Sequence, residues 1–175
     1  VTFTYNQGVI LPALAMLANR TANQTYMDIA YRTVDGVISF MSYNGSVLHE
    51  PEGPENGTET EGCDEFWGGP CRRWAVFKGI FIRNFADFVA QMPKGERKTK
   101  YINFVLSSAE SAWDHAQCPN ITKSKETIDF SYDWSGKRAD LVASCNGSLE
   151  MTNLMGQDIA ALDLFNAAER LSVLL

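Results

Sequence analysis

Histidine is scarce, with only His49 and His115 in 175 residues, and the two sit at no metal-ligand spacing. No Cys-X-X-Cys pair occurs, which disfavours a zinc site. No apolar run approaches the roughly 20 residues that span a bilayer. The nearest, Val9 to Ala18, is short and contains Pro12. Basic clusters are missing too: the run from Lys94 to Lys100 is interrupted by Gly95, Glu96 and Thr99, and the net charge of −6 repels phosphate. Nucleic acid is therefore an unsuitable partner. There is no phosphate loop, nucleophile elbow or Cys/His dyad, and Gly68-Gly69-Pro70 is a turn. Nothing in the sequence asks for a metal or a cofactor.

What is present is ordinary globular material. A hydrophobic fraction of 45% with 21% charged residues gives a chain of this length enough to build one core. Six sequons, at Asn19, Asn23, Asn44, Asn56, Asn120 and Asn146, are more than chance readily supplies, and most fall in turn-rich stretches where a glycan must project. Cys63, Cys71, Cys118 and Cys145 form an even set, as an oxidising compartment favours. Together these predict a secreted or cell-wall-associated glycoprotein whose leader peptide lies outside this chain. Four cysteines allow three pairings. Cys63–Cys71 would close the short Gly-Pro loop, and Cys118–Cys145 would tie the end of one helix to the segment before the next.

The apolar periodicity predicts five helices. Asn6 to Arg20 is apolar on most of its surface, with Pro12 marking a kink or a start near Leu11. Gln24 to Met41 carries one stripe: Ile29, Ala30, Thr33, Val34, Val37, Ile38 and Met41. Asn44-Gly45 between apolar residues signals a small β-hairpin over Tyr43 to Leu48, and His49 to Gly62 reads as an exposed acidic loop. Ala75 to Gln91 and Lys98 to Ala116 follow, the latter with Trp113 on its core face. Thr127 to Trp134 alternates as a short strand would, and Thr152 to Val173 closes the chain with Ile159, Leu162, Leu164, Phe165, Ala168 and Leu171 inward. Many-sided apolar helices (first, third, fifth) alternate with one-sided ones. That suits two concentric layers, an all-α toroid, with a plain five-helix bundle as the alternative.

Three stretches resemble glycoside hydrolase family 76. They are Thr4-Tyr5-Asn6-Gln7-Gly8-Val9-Ile10-Leu11; Cys63-Asp64 with Phe77-Lys78-Gly79-Ile80-Phe81-Ile82-Arg83; and Trp113 through Tyr132-Asp133-Trp134-Ser135-Gly136 to Gln157-Asp158-Ile159-Ala160-Ala161-Leu162-Asp163. The resemblance implies an α/α toroid of six hairpins, of which residues 1–175 would be the C-terminal half. It also implies retaining hydrolysis or transglycosylation of α-1,6-linked mannan. The family's two adjacent catalytic aspartates have no counterpart, since no Asp-Asp pair occurs. Retaining chemistry needs two carboxylates about 5–5.5 Å apart. Asp64 and Glu65 match the family's Cys-Asp loop instead, so the catalytic pair is expected in an upstream half that would partner this one.

Sugar recognition needs planar polar groups for hydroxyls and aromatic faces for C–H surfaces. Tyr5, Asn6 and Gln7 offer both at a helix entrance, although Asn6 could equally be an N-cap. Asp64, Phe77, Lys78 and Trp134 are the other candidate sugar contacts. For Phe77 the competing place is the core, for Lys78 a buried carboxylate such as Asp64, and for Trp134 a plug that packs its loop. Two other classes remain: a non-catalytic glycan-binding or structural glycoprotein on the same scaffold, and a secreted helical signalling bundle lacking a cleft rimmed by Tyr5, Asp64 and Trp134.

Overall fold

The computed structural model describes residues 3–50, 75–118, 128, 130–131, 133–135 and 151–175, with side chains from 76 in the second stretch and from 158 in the last. Its helices are α1 (Thr4–Gly8), α2 (Leu11–Thr21), α3 (Thr25–Phe40), α4 (Ala75–Gln91), α5 (Glu96–His115) and α6 (Met151–Ser172). The first apolar segment is thus two helices. Pro12 sits in the first turn of α2, where its missing N–H costs nothing, so it starts a helix and does not kink one. Ala22, in the left-handed conformation at φ 52°, ends α2. Asn23 Oδ1 accepts from the Thr25 N–H at 3.0 Å as α3 begins.

The hairpin pairs β1 (Ser42–Tyr43) with β2 (Val47–Leu48), Ser42 opposite Leu48 and Tyr43 opposite Val47. Asn44 and Gly45 supply its turn at φ 51° and 72°, the sign that only Gly and Asn adopt cheaply. Ser108 of α5 fixes the hairpin in place, its Oγ accepting from the Leu48 N–H at 3.2 Å.

Contact pairs give the directions. Along α1 and α4, Tyr5 meets Phe77 and Gly8 meets Phe81, so the two helices run the same way. Along α4 and α6, Gly79 meets Ala160, Arg83 lies 3.8 Å from Asp163, and Asp87 pairs with Arg170. These also run parallel. In the other layer, Tyr31 and Asp35 of α3 meet Tyr101 of α5, while Ser46 meets Ser108 farther along. So α1, α4 and α6 form one parallel layer, and α3 with α5 forms another that covers it. The alternation expected for a two-layered helical fold is present.

Helix α4 is central. Phe81, Ile82, Phe85, Phe88 and Val89 are wholly buried, and Phe85 packs on Tyr101 at 5.5 Å. Two glycines bring the neighbours in. A Cβ on Gly8 would lie 2.7 Å from Phe81 Cα, and one on Gly79 would lie 2.7 Å from Ala160 Cα. Backbone stands where a side chain would have to go.

Several expectations need correction. Val9, Ile10, Met16 and Leu17 are exposed among the described residues, so the first apolar segment is covered on one side only. The close approach at Gly79 turns the alanines of α6 inward: Ala160, Ala161 and Ala167 are buried, whereas Ile159 and Leu162 are exposed. Trp113 is 51% exposed and packs edge-on against Phe165 at 5.9 Å, outside the core. Of the strand expected over Thr127 to Trp134, the described part is a single bridge, Phe130 with Gln117. His49 and Glu50, read as exposed loop, are buried.

Glycine substitution tests the central contact. Gly79→Ala should gain about 1 kcal/mol of helix propensity and lose more through overpacking, about 1–3 kcal/mol, with a lowered urea midpoint. Gly36→Ala, in α3 with nothing within 4 Å of the added Cβ, should instead be stabilised by about 0.5–1 kcal/mol.

Candidate sugar-binding rim and its polar interior

The first turns of the parallel helices α1 and α4 end at the same side of the molecule, and there the family-like stretches meet. Tyr5 from α1 and Phe77 from α4 have ring centroids 4.4 Å apart, and Phe3 closes the cluster at 5.2 Å from Phe77. Tyr5 and Phe77 are half-buried, Asn6 is exposed and Gln7 is half-buried. Asn6 is the third residue of α1, while Phe3 occupies the N-cap position, so Asn6 is not a cap. Four of the candidate sugar contacts thus share one rim, and a ring pair from stretches 72 positions apart joins them.

A polar interior adjoins this rim. Thr4, His49, Glu50, Lys78, Ser131 and Asp133 are all buried. Lys78 does not project from the rim as expected. It is 1% exposed, with its ammonium 4.3 Å from the centroid of the Trp134 ring. A desolvated cation over an indole is worth about 2 kcal/mol. Trp134, expected as an exposed stacking platform, is likewise 1% exposed, and Ser111 Oγ donates to its carbonyl at 2.8 Å. It plugs its loop against α5. The reason is the cation: a lysine carried inward on the first turn of α4 needs an electron-rich face, and the indole supplies it. Trp134 and Lys78 therefore stand behind the rim, not on it.

Asp133 holds the turn that carries Trp134, its Oδ1 accepting from the Ser135 N–H at 2.9 Å and from the Ser135 hydroxyl at 2.7 Å. Among the described residues, its Oδ2, the Trp134 Nε1–H and the His49 Nδ1 find no hydrogen-bond partner. Each such buried group costs on the order of 1–3 kcal/mol. His49 stacks on Tyr43 at 4.4 Å. Burial holds its pKa below the usual 6.5, the nearby Lys78 charge adds to this, and a hydrogen bond to the Glu50 backbone and the Asp133 carboxylate oppose it. Behind the rim, Asp163 is pushed above the usual carboxylate range by burial, against the pull of Arg83.

Asp64 lies outside the described residues, as do Cys63, Cys71, Cys145 and the sequons at Asn56, Asn120 and Asn146. Cys118 is disulfide-bonded. Asn19, Asn23 and Asn44 are exposed. Among the described residues no group of three His, Cys, Asp or Glu could hold a metal ion, and no helix is long and apolar enough to cross a membrane. An open groove of about 340 Å³ lies between the hairpin turn and α5, lined by Gly45, Ser46, Lys100 and Asn103 among others. No residue of the rim reaches it.

Sequence reasoning missed Glu50, Thr4 and His49. Thr4 and Glu50 meet across 46 positions, which leaves no local pattern, and His49 packs back on the hairpin through Tyr43. The histidine is testable through pH. Its folded pKa is depressed, so below about 6.5 the unfolded chain binds the proton more readily than the folded one, and stability falls as pH falls. Between about pH 7 and pH 5 a His49→Gln variant should show a shallower loss of melting temperature than the parent protein.

The model of glycosyl hydrolase family 76 matches residues 1–171. Among solved structures, the chain is similar to an inactive variant, with two consecutive aspartates replaced by alanine, of the alpha-1,6-mannanase GH76A of Salegentibacter sp. HEL1_6 in complex with alpha-1,6-mannotetrose. The TM-score is 0.55 at 20% identity, over 93% of this chain and 40% of that one, a likeness of fold. Among curated proteins none matches. With nearly its whole length matched, the chain belongs to glycosyl hydrolase family 76.

Proposed function

We propose that this chain forms one wall of the cleft of a secreted glycoside hydrolase or transglycosidase acting on α-1,6-linked mannan. The single observation that carries the reading is the meeting of Tyr5 and Phe77 at the first turns of two parallel helices, in a chain of family 76. An aromatic rim with the exposed amide of Asn6 beside it can cover a sugar's C–H face and bond its hydroxyls. The ligand of the similar structure, a mannotetrose, supports the substrate class.

Chemistry by the retaining route needs a carboxylic acid to protonate the leaving oxygen and a carboxylate to attack the anomeric carbon. The structurally similar mannanase carries its inactivating changes at two consecutive aspartates, and this chain spans 40% of that protein. We therefore assign the acid and the nucleophile to residues outside residues 1–175, and the upstream half of a toroidal domain to the opposite cleft wall. Rim residues of this chain would position the mannosyl unit, a contribution made through geometry.

A second reading is a non-catalytic glycan-binding protein on the same scaffold, favoured by the lack of an Asp-Asp pair in this sequence. Both readings are tested with α-1,6-mannan. The 175-residue chain should bind α-1,6-mannotetraose weakly and release no product, and its Asp64→Asn variant should release none either. The protein with its upstream half should release product. Turnover by this chain that vanishes in Asp64→Asn would overturn the assignment. Binding without turnover in the longer protein would favour the second reading.

A further inference from the structure

Helix α1 is a single turn of five residues, too short to hold its shape unaided, because nucleating a turn fixes about six dihedrals for one hydrogen bond. Its N-cap residue, Phe3, supplies no side-chain bond to it. Something else must fix the segment, and the structure supplies two anchors. At the C-terminal end, Gly8 lies against the backbone of Phe81. At the N-terminal end, the buried carboxylate of Glu50 accepts from the Thr4 N–H at 2.8 Å and from the Thr4 hydroxyl at 2.6 Å. Tyr5, Asn6 and Gln7 are the three residues between the anchors.

We propose that Glu50 is a positioning residue for sugar binding: through Thr4 it sets the presentation of Tyr5 and Asn6 at the rim. The proposal rests on the mannan reading above. Glu50 is well placed for this because its own position is determined from elsewhere. The His49 N–H donates to the Met41 carbonyl at 3.1 Å, the His49 ring stacks on Tyr43, and Ser108 fixes Leu48. The hairpin is thus tied to α3 and α5, and Glu50 carries that rigidity across to α1. Both Glu50 and Thr4 are buried, so water does not compete for their two bonds, and a carboxylate acceptor makes those bonds stronger than neutral ones. Glu50 touches no substrate in this account and acts on the rim through Thr4.

The test combines backbone amide exchange with α-1,6-mannotetraose titration of the protein bearing Glu50→Ala, Glu50→Gln or Thr4→Val. In Glu50→Ala, the amides of Thr4, which Glu50 binds, and of residues 7–9 should lose exchange protection while those of α3, α4 and α5 keep theirs. The mannotetraose Kd should rise about tenfold, comparable to losing one charge-assisted hydrogen bond. Glu50→Gln still offers an oxygen to the Thr4 N–H and should restore most of both. Thr4→Val removes only the hydroxyl bond and should raise Kd by a smaller factor; it keeps the test decisive if Glu50→Ala does not fold. Unchanged Kd in Glu50→Ala, or in Thr4→Val where that variant alone folds, would overturn the proposal while leaving the mannan reading intact. Absence of mannotetraose binding by the parent protein would overturn the mannan reading and this proposal with it.

Discussion

The contact on which the rest depends is the backbone-to-backbone approach of α4 to its two parallel neighbours. Gly8 admits α4 to α1, and Gly79 admits α6 to α4, each where an added Cβ would stand 2.7 Å from a neighbouring Cα. Close approach sets the registers. With Gly8 over Phe81, Tyr5 falls beside Phe77. With Gly79 over Ala160, Arg83 comes near Asp163 and Asp87 reaches Arg170. The rim is thus a consequence of two absent side chains, and its aromatic pair is set by helix packing that lies one turn farther in.

The same approach explains why the polar interior can persist. A helix drawn this close to its neighbours buries the inward side of its first turn, and Lys78 lies on that side, 1% exposed. A buried ammonium without compensation would cost several kcal/mol. Trp134 supplies a π-face for it, Asp133 holds Trp134's turn, and Ser111 ties the turn to α5. Among the described residues, Asp133 Oδ2, Trp134 Nε1 and His49 Nδ1 find no hydrogen-bond partner in that arrangement. Natural folds keep few such groups, and those they keep tend to gather near functional sites. Two of them, Asp133 Oδ2 and Trp134 Nε1, lie in the turn packed on Lys78, the residue after Phe77.

Much of the fold was legible in the sequence where the signals were local. Ala75–Gln91 was read with the bounds the structure has, because its apolar residues recur on several faces over one uninterrupted run. Asn44-Gly45 announced the hairpin because few other residues accept two positive φ values in succession. What was not legible depended on distant partners. The acidic, Gly- and Pro-rich stretch after Leu48 looked solvated, yet its first two residues are drawn inward, one by a threonine 46 positions away. Trp134 looked like an exposed platform because its neighbours are turn residues, and a lysine on another helix buries it. On α6, Leu164, Ala168 and Leu171 are buried as read, whereas Ile159 and Leu162 are exposed and Ala160, Ala161 and Ala167 are buried in their place. Composition described the materials, and long-range contacts decided the faces.

The central claim is that sugar binds at the rim shared by α1 and α4. Backbone amide shifts of the isotope-labelled protein, titrated with α-1,6-mannotetraose, test it most directly. The account predicts shifts concentrated at residues 5–8 and 76–79, with little change along the groove lined by Ser46, Lys100 and Asn103. Shifts confined to that groove, or none at the rim at saturating sugar, would contradict it.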